Sequence, residues 1–185
     1  MKIFVTGATG YIGFAVCGAL KARGHEVTGL TRGAKGAERL ASAGIQPVVG
    51  DMKTPQTYES EAEHAEVLIH AAVEYGPATA DADRTALESL ISVARGAGAP
   101  RGLVYTSGVW VLGPRPATAA DENSALDPLP IVAWRPAQEQ RCLGAAGDGV
   151  RTVVIRPGCV YGGHGGLYGQ MIADLDDETL DETYS

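Results

Sequence analysis

The residues best placed to do chemistry come first in the chain. Thr6-Gly7-Ala8-Thr9-Gly10-Tyr11-Ile12-Gly13 sets three glycines between a β-branched and aromatic run, Lys2 to Thr6, and a stretch of helical periodicity from Tyr11 to Arg23. A glycine at such a turn tolerates unusual backbone angles. One without a side chain lets a pyrophosphate approach the main chain, and one inside the helix lets it pack closely on the strand. The helix N-terminus adds free N–H groups and a partial positive charge. The chemistry implied is a grip on the phosphates of a dinucleotide. A glycine turn that merely packs is the bland alternative, and the strand-to-helix position weighs against it.

A second candidate group follows the next strand. In a site of this kind a carboxylate at the end of the second strand accepts from a ribose 2′-hydroxyl and repels a 2′-phosphate. Here that end reads Leu30-Thr31-Arg32-Gly33. A hydroxyl and a guanidinium in place of the acid make NADP the expected cofactor, with NAD the alternative. Arg32 as a solvated loop charge is the competing reading. Cys17, Cys142 and Cys159 lack CxxC or His-linked spacing, so neither a disulfide framework nor a metal site is expected. His70 ends an apolar strand and reads as a packed histidine, whereas His25, His64 and His164 have no partner at ligand spacing.

These residues need a scaffold, and the rest of the chain supplies the pattern of one. The first helix, Tyr11 to Arg23, spaces Ala15, Val16 and Leu20 for burial and ends at Gly24, and Glu26 to Thr31 forms the second strand. Helix Ala34 to Ala43 leads to strand Gln46 to Val49, and a weaker helix around Thr54 to Ala62 leads to strand Glu66 to Ala71. Helix Ala82 to Gly96 precedes strand Gly102 to Ser107, and helix Ile131 to Ala146 precedes strand Val150 to Arg156. Such alternation, with strands that are almost continuously apolar, predicts an α/β fold: a doubly wound parallel sheet of about six strands with helices on both faces. Pro114 to Pro130, with four prolines, reads as a long loop beyond the fifth strand, where loops carry function.

Composition narrows the function classes. The 185 residues suit one domain, placed at 1–166, followed by an acidic tail at 167–185. Six acids between Asp174 and Glu182 account for most of the net charge of −7, so the acidity belongs to the tail. Nothing basic suggests nucleic acid. No apolar run approaches about 18 residues, so no membrane span is expected and a cytoplasmic location fits.

The glycine loop resembles the TGxxGxxG signature of the short-chain dehydrogenase/reductase superfamily, in the spacing of its extended, epimerase/dehydratase-like branch. Further segments resemble that family in order. Val49-Gly50-Asp51-Met52 is similar to the segment that meets the adenine ring, and Val67-Leu68-Ile69-His70-Ala71-Ala72 to the strand whose end lines the cofactor. Leu103 to Gly113 is similar to the strand with the catalytic hydroxyl, and Arg156-Pro157-Gly158-Cys159-Val160-Tyr161-Gly162 to the segment beside the nicotinamide. The resemblance implies a Rossmann-type domain. It also implies a nicotinamide dinucleotide touching Gly7, Thr9, Gly10, Tyr11, Ile12, Gly13, Thr31, Arg32, Asp51, Met52, Ala71, Ala72, Pro157, Gly158 and Val160.

The proton-handling positions depart from the family. Its YxxxK pair falls on Trp134 and Gln138, and neither an indole nor an amide titrates usefully. Its Ser/Thr slot falls on Gly108, leaving Ser107 one residue earlier as the candidate catalytic hydroxyl or as a cap on its own strand end. Asp83 lies where the family has an active-site Asn and reads as a solvated acid at a helix start. The family's substrate lobe is largely absent from the sequence, so self-association, a homo-oligomer, would cover any apolar surface left exposed. Two functions remain open: an oxidoreductase or epimerase-like enzyme with degenerate catalytic positions acting on an unknown small molecule, and a non-catalytic NADP-binding sensor or regulatory protein.

Overall fold

A computed structural model of the chain describes residues 1–114, 119–147, 149–163, 165–166 and 169. Six strands form one sheet: β1 (Lys2–Thr6), β2 (Glu26–Thr31), β3 (Gln46–Val49), β4 (Val67–His70), β5 (Arg101–Thr106) and β6 (Val150–Ile155). All neighbours pair in parallel, in the order β3-β2-β1-β4-β5-β6. This is the doubly wound Rossmann order, which reverses between β1 and β4. The crevice at that reversal is where such sheets take ligands.

The helices divide between the faces as the apolar strands require. On one face α1 (Tyr11–Ala22) and α2 (Ala34–Ser42) cover Ile3, Val5 and Val27, with Cys17, Leu40 and Ile45 closing the core. On the other, α3 (Glu59–Ala62), α4 (Thr79–Arg95) and α5 (Arg135–Leu143) enclose Phe4, Leu68, Leu103 and Tyr105. The outer edge is thinner. On β6, Val153 and Ile155 point away from the α4–α5 core and remain half exposed.

Several elements differ from the sequence expectations. The buried face of α1 is Gly13 and Cys17, with Leu20 and Phe14 packed beside it, whereas Ala15 is exposed. The weak helix over 54–62 splits into a 3-10 turn, Pro55–Thr57, and α3, because Tyr58 takes φ −146° between them to bury its ring against Phe4. The expected helix over 131–146 is a 3-10 turn, Pro130–Val132, followed by the shorter α5. Pro136 has no N–H to donate and is accommodated only in a helix's first turn, so α5 begins there. The helix α4 begins at Thr79, three residues before the expected start. The segment proposed as an acidic tail lies, apart from Gly169, outside the described residues.

Candidate functional site

The glycine loop lies at the β1/β4 crevice, and its three glycines have three separate uses. Gly7 adopts φ +71°, and a Cβ on it would lie 2.5 Å from the Ala71 carbonyl oxygen, so the turn rests directly on the backbone after β4. A Cβ on Gly13 would overlap the Gly7 carbonyl, which is how α1 packs down on the turn. Gly10 is exposed at the N-cap of α1 and has only the Gly7 carbonyl nearby. Its side is the open approach to the main chain. No side chain caps α1 and no acid sits in its first turn, so the N–H groups there and the helix's positive end face the crevice. That arrangement suits a pyrophosphate.

Cations flank the loop. Arg32 follows β2 with its side chain 75% exposed, 4.0 Å from Glu74. Glu74, after β4, also binds Lys53 at 3.0 Å, and this bond is the main reason the Lys53 pKa is raised. Thr31, by contrast, is buried with its hydroxyl under Gly36, so of the pair predicted from sequence Arg32 is the one open to a ligand. Arg39, which sequence reasoning missed, donates to the Thr9 carbonyl at 2.9 Å and lies over the Phe14 ring at 4.0 Å. The signal was its place on α2, one helix over from the loop. Asp51 is half-buried and caps Lys53 N–H at 2.8 Å, while Met52 is buried in the core.

The far side of the crevice is built from the ends of β4, β5 and β6. Ala71 and Ala72 are half-buried beside Gly7. After β5, Ser107 N–H bonds the Ile155 carbonyl at 2.8 Å and Val109 N–H the Pro157 carbonyl at 3.1 Å, tying this turn to the segment after β6. Gly158 and Val160 are exposed there, with Pro157 half-buried. Tyr11 reaches across to that segment: its hydroxyl donates to the Gly162 carbonyl at 2.8 Å. Ile12 is half-buried behind it. The Ser107 hydroxyl is buried and has no hydrogen-bond partner among the described residues, so it does not cap its strand.

Trp134 and Gln138, expected from the sequence at the family's acid–base positions, are engaged elsewhere. Trp134 precedes α5 with the Arg135 guanidinium 4.5 Å over its ring. Gln138 is buried and accepts from Arg141 at 2.7 Å. The next residue, the buried Glu139, accepts from Nε and Nη2 of Arg156, at 2.7 to 3.2 Å, and holds the guanidinium in its charged form. The pair anchors the segment after β6 to α5.

Asp83 is not the solvated acid expected. It is 1% exposed and accepts from the Tyr105 hydroxyl at 3.0 Å and from His70 Nε2 at 3.2 Å. His70 is packed as expected, its Nδ1 2.6 Å from the Thr6 hydroxyl. Burial first, and then the Asp83 charge, raise the Tyr105 pKa, so its phenol keeps its proton. Among the described residues, no three His, Cys, Asp or Glu side chains are grouped to hold a metal, and no helix is long and apolar enough to cross a membrane.

The model of the NAD dependent epimerase/dehydratase family matches residues 3–178. The chain belongs to that family. It is 33% identical over 171 residues to a 4-hydroxy-2-methyl-3-oxo-4-farnesyl-3,4-dihydroquinoline-1-oxide ketoreductase of Stigmatella aurantiaca, covering 88% of this chain and 51% of that protein. It is 30% identical over 175 residues to a 2-alkyl-3-oxoalkanoate reductase of Stenotrophomonas maltophilia, covering 88% and 52%. A crystal structure of UDP-galactose 4-epimerase superposes on 96% of this chain and 63% of its own with a TM-score of 0.81, at 24% identity, a likeness of fold. The chain thus spans about half the length of the curated relatives it matches.

Proposed function

We propose that this family member holds NADP(H) and serves as the dinucleotide-binding part of a carbonyl reductase, with Ser107 as its catalytic hydroxyl. The observation that carries the reading is the buried, unpartnered Ser107 hydroxyl, on a turn tied to the same crevice as the glycine loop. A buried hydroxyl without a partner costs about 1–3 kcal/mol, and a ligand oxygen is the natural one to satisfy it.

In this reading the N–H groups opening α1 take the pyrophosphate, with Gly10 allowing the approach, and Arg32 takes the 2′-phosphate in place of Glu74. Ala71, Ala72, Pro157, Gly158 and Val160 line the nicotinamide end. The bound dinucleotide supplies the hydride. Ser107 donates a hydrogen bond to the substrate carbonyl, polarising it and fixing its orientation, and the resulting alkoxide takes its proton from water. No Tyr–Lys pair takes part, since Trp134 and Gln138 occupy those positions. Both curated relatives named above are reductases, which favours reduction of a ketone over sugar epimerisation.

Trp134 and Gln138 also favour a second reading, a binding protein without turnover. One experiment separates them. Cys159 is exposed between Gly158 and Val160, so bound NADPH slows its alkylation, and NADH does so only at higher concentration. Equal alkylation with and without NADPH rejects the site. Protection without NADPH oxidation across a panel of ketones, using the chain together with any sequence that follows it in the native protein, favours the sensor.

A further inference from the structure

One buried polar cluster has no part in that chemistry. Thr6, His70 and Tyr105 are register partners across β1, β4 and β5, and their side chains share the face on which α4 supplies Asp83. The contacts run without a break. Thr6 Oγ1 lies 2.6 Å from His70 Nδ1, His70 Nε2 3.2 Å from Asp83 Oδ1, and the Tyr105 hydroxyl 3.0 Å from Asp83 Oδ2. Arg135 then donates to the Tyr105 oxygen at 3.5 Å and to the Thr106 carbonyl at 3.0 Å. With Asp83 accepting both of its bonds, the network assigns the His70 proton to Nε2 and leaves Nδ1 to accept from Thr6.

Two residues further down the same strands, the equivalent row is Phe4, Leu68 and Leu103, all fully buried and apolar. The fold therefore fills this face with hydrocarbon one layer below, and buried ionic groups bring little stability over apolar ones of similar volume. Of these two buried layers, the polar one lies beneath the crevice. Thr6 precedes Gly7, His70 precedes Ala71, on which Gly7 rests, and Tyr105 with Thr106 leads into Ser107.

We propose that Thr6, His70, Asp83, Tyr105 and Arg135 form a chain of positioning residues that fixes the glycine loop relative to the Ser107 turn, with Asp83 the shared acceptor at its centre. The proposal rests on the reading that a dinucleotide spans those two loops. Thr6 and Tyr105 make no bond to each other and lie on strands about 10 Å apart. Independent residues at that separation have additive effects, and residues in one network do not.

The test uses Thr6→Val and Tyr105→Phe, each removing one hydroxyl at nearly constant shape, and their combination. In the Tyr105→Phe protein, amide hydrogen exchange rises about fivefold, the equivalent of one net hydrogen bond, at Gly10 and Phe14, whose bonds close the distant glycine loop. Exchange in α2 stays unchanged. Reciprocally, Thr6→Val speeds exchange at Ser107. Each single change weakens NADPH binding by a similar factor, and the double change weakens it no more than the worse single. Exchange that rises only on the substituted strand, or a double variant whose loss is the product of the singles, overturns the proposal. If NADPH fails to bind even the unsubstituted protein, that counts against the cofactor reading, and the exchange data still decide the positioning chain. Should Tyr105→Phe fail to fold, Arg135→Gln at the half-buried end of the chain takes its place.

Discussion

The loop after β1 and the turn after β5 meet at one crevice but are built on opposite terms. After β1, backbone does the work: Gly7 and Gly13 vanish into close contacts and Gly10 leaves main-chain N–H groups open. After β5 the work falls to side chains: the Ser107 hydroxyl is buried and unpartnered among the described residues, while the buried His70, Asp83 and Tyr105 sit one layer lower. The contrast teaches that gripping a dinucleotide and handling protons are separable. The grip depends on shape that any larger residue would destroy. Proton chemistry depends on a few side-chain identities that can change while the fold stays intact.

The largest effect is expected from Gly13→Val, whose side chain would be driven into the Gly7 carbonyl. Dinucleotide binding is lost to calorimetry, and urea unfolding shows a destabilisation of about 1–3 kcal/mol. Retained binding would show that the loop is not a backbone device.

On the other side, Glu139→Leu leaves Arg156 without its partner, and urea unfolding shows a loss of about 3 kcal/mol. Adding Arg156→Met recovers most of it, because the pair's cost is then removed with its gain. A double variant no better than the single would mean that the carboxylate serves something beyond the pair.

Smaller effects probe the cofactor. Arg32→Ala lowers the preference for NADP over NAD by about tenfold, as expected for a charged hydrogen bond, and Glu74→Gln raises it by removing the acid that competes for Arg32. Calorimetry with both nucleotides reads both changes, and an unchanged ratio in Arg32→Ala returns that residue to a plain surface charge. The smallest change in stability belongs to Ser107→Ala, a gain of about 1 kcal/mol in the nucleotide-free protein, since the buried hydroxyl it removes has no partner among the described residues. A loss of stability in thermal unfolding would reveal a structural role for that hydroxyl.

How much of this was legible follows from how local each signal is. The strands and the glycine loop were readable because apolar runs and a strand–glycine–helix junction are properties of neighbouring residues. Strands β2 and β3 fall at the expected residues for that reason. Asp83 was misread because its surroundings are His70 and Tyr105, brought in from two other strands, and nothing within α4 announces them. Arg135 carries no signal of its own in the sequence, because its partners, Tyr105 and the Thr106 carbonyl, come from a strand some thirty positions earlier. Thr31 was offered to a phosphate on position alone, whereas its burial depends on how Gly36 packs. The α5 boundary was the exception: Pro136 was visible in the sequence and should have shortened the helix.

The bond from the Tyr11 hydroxyl to the Gly162 carbonyl joins residues 151 positions apart. In the time of synthesis, that separation is an interval. The glycine loop leaves the ribosome well before the partner that braces its helix, which emerges only after β6, and contacts of such range form late and close slowly. A nascent chain therefore carries an unbraced grip until the residues after β6 have been made. The ability to bind dinucleotide firmly arrives near the end of this segment's synthesis, once the sheet is assembled from both sides.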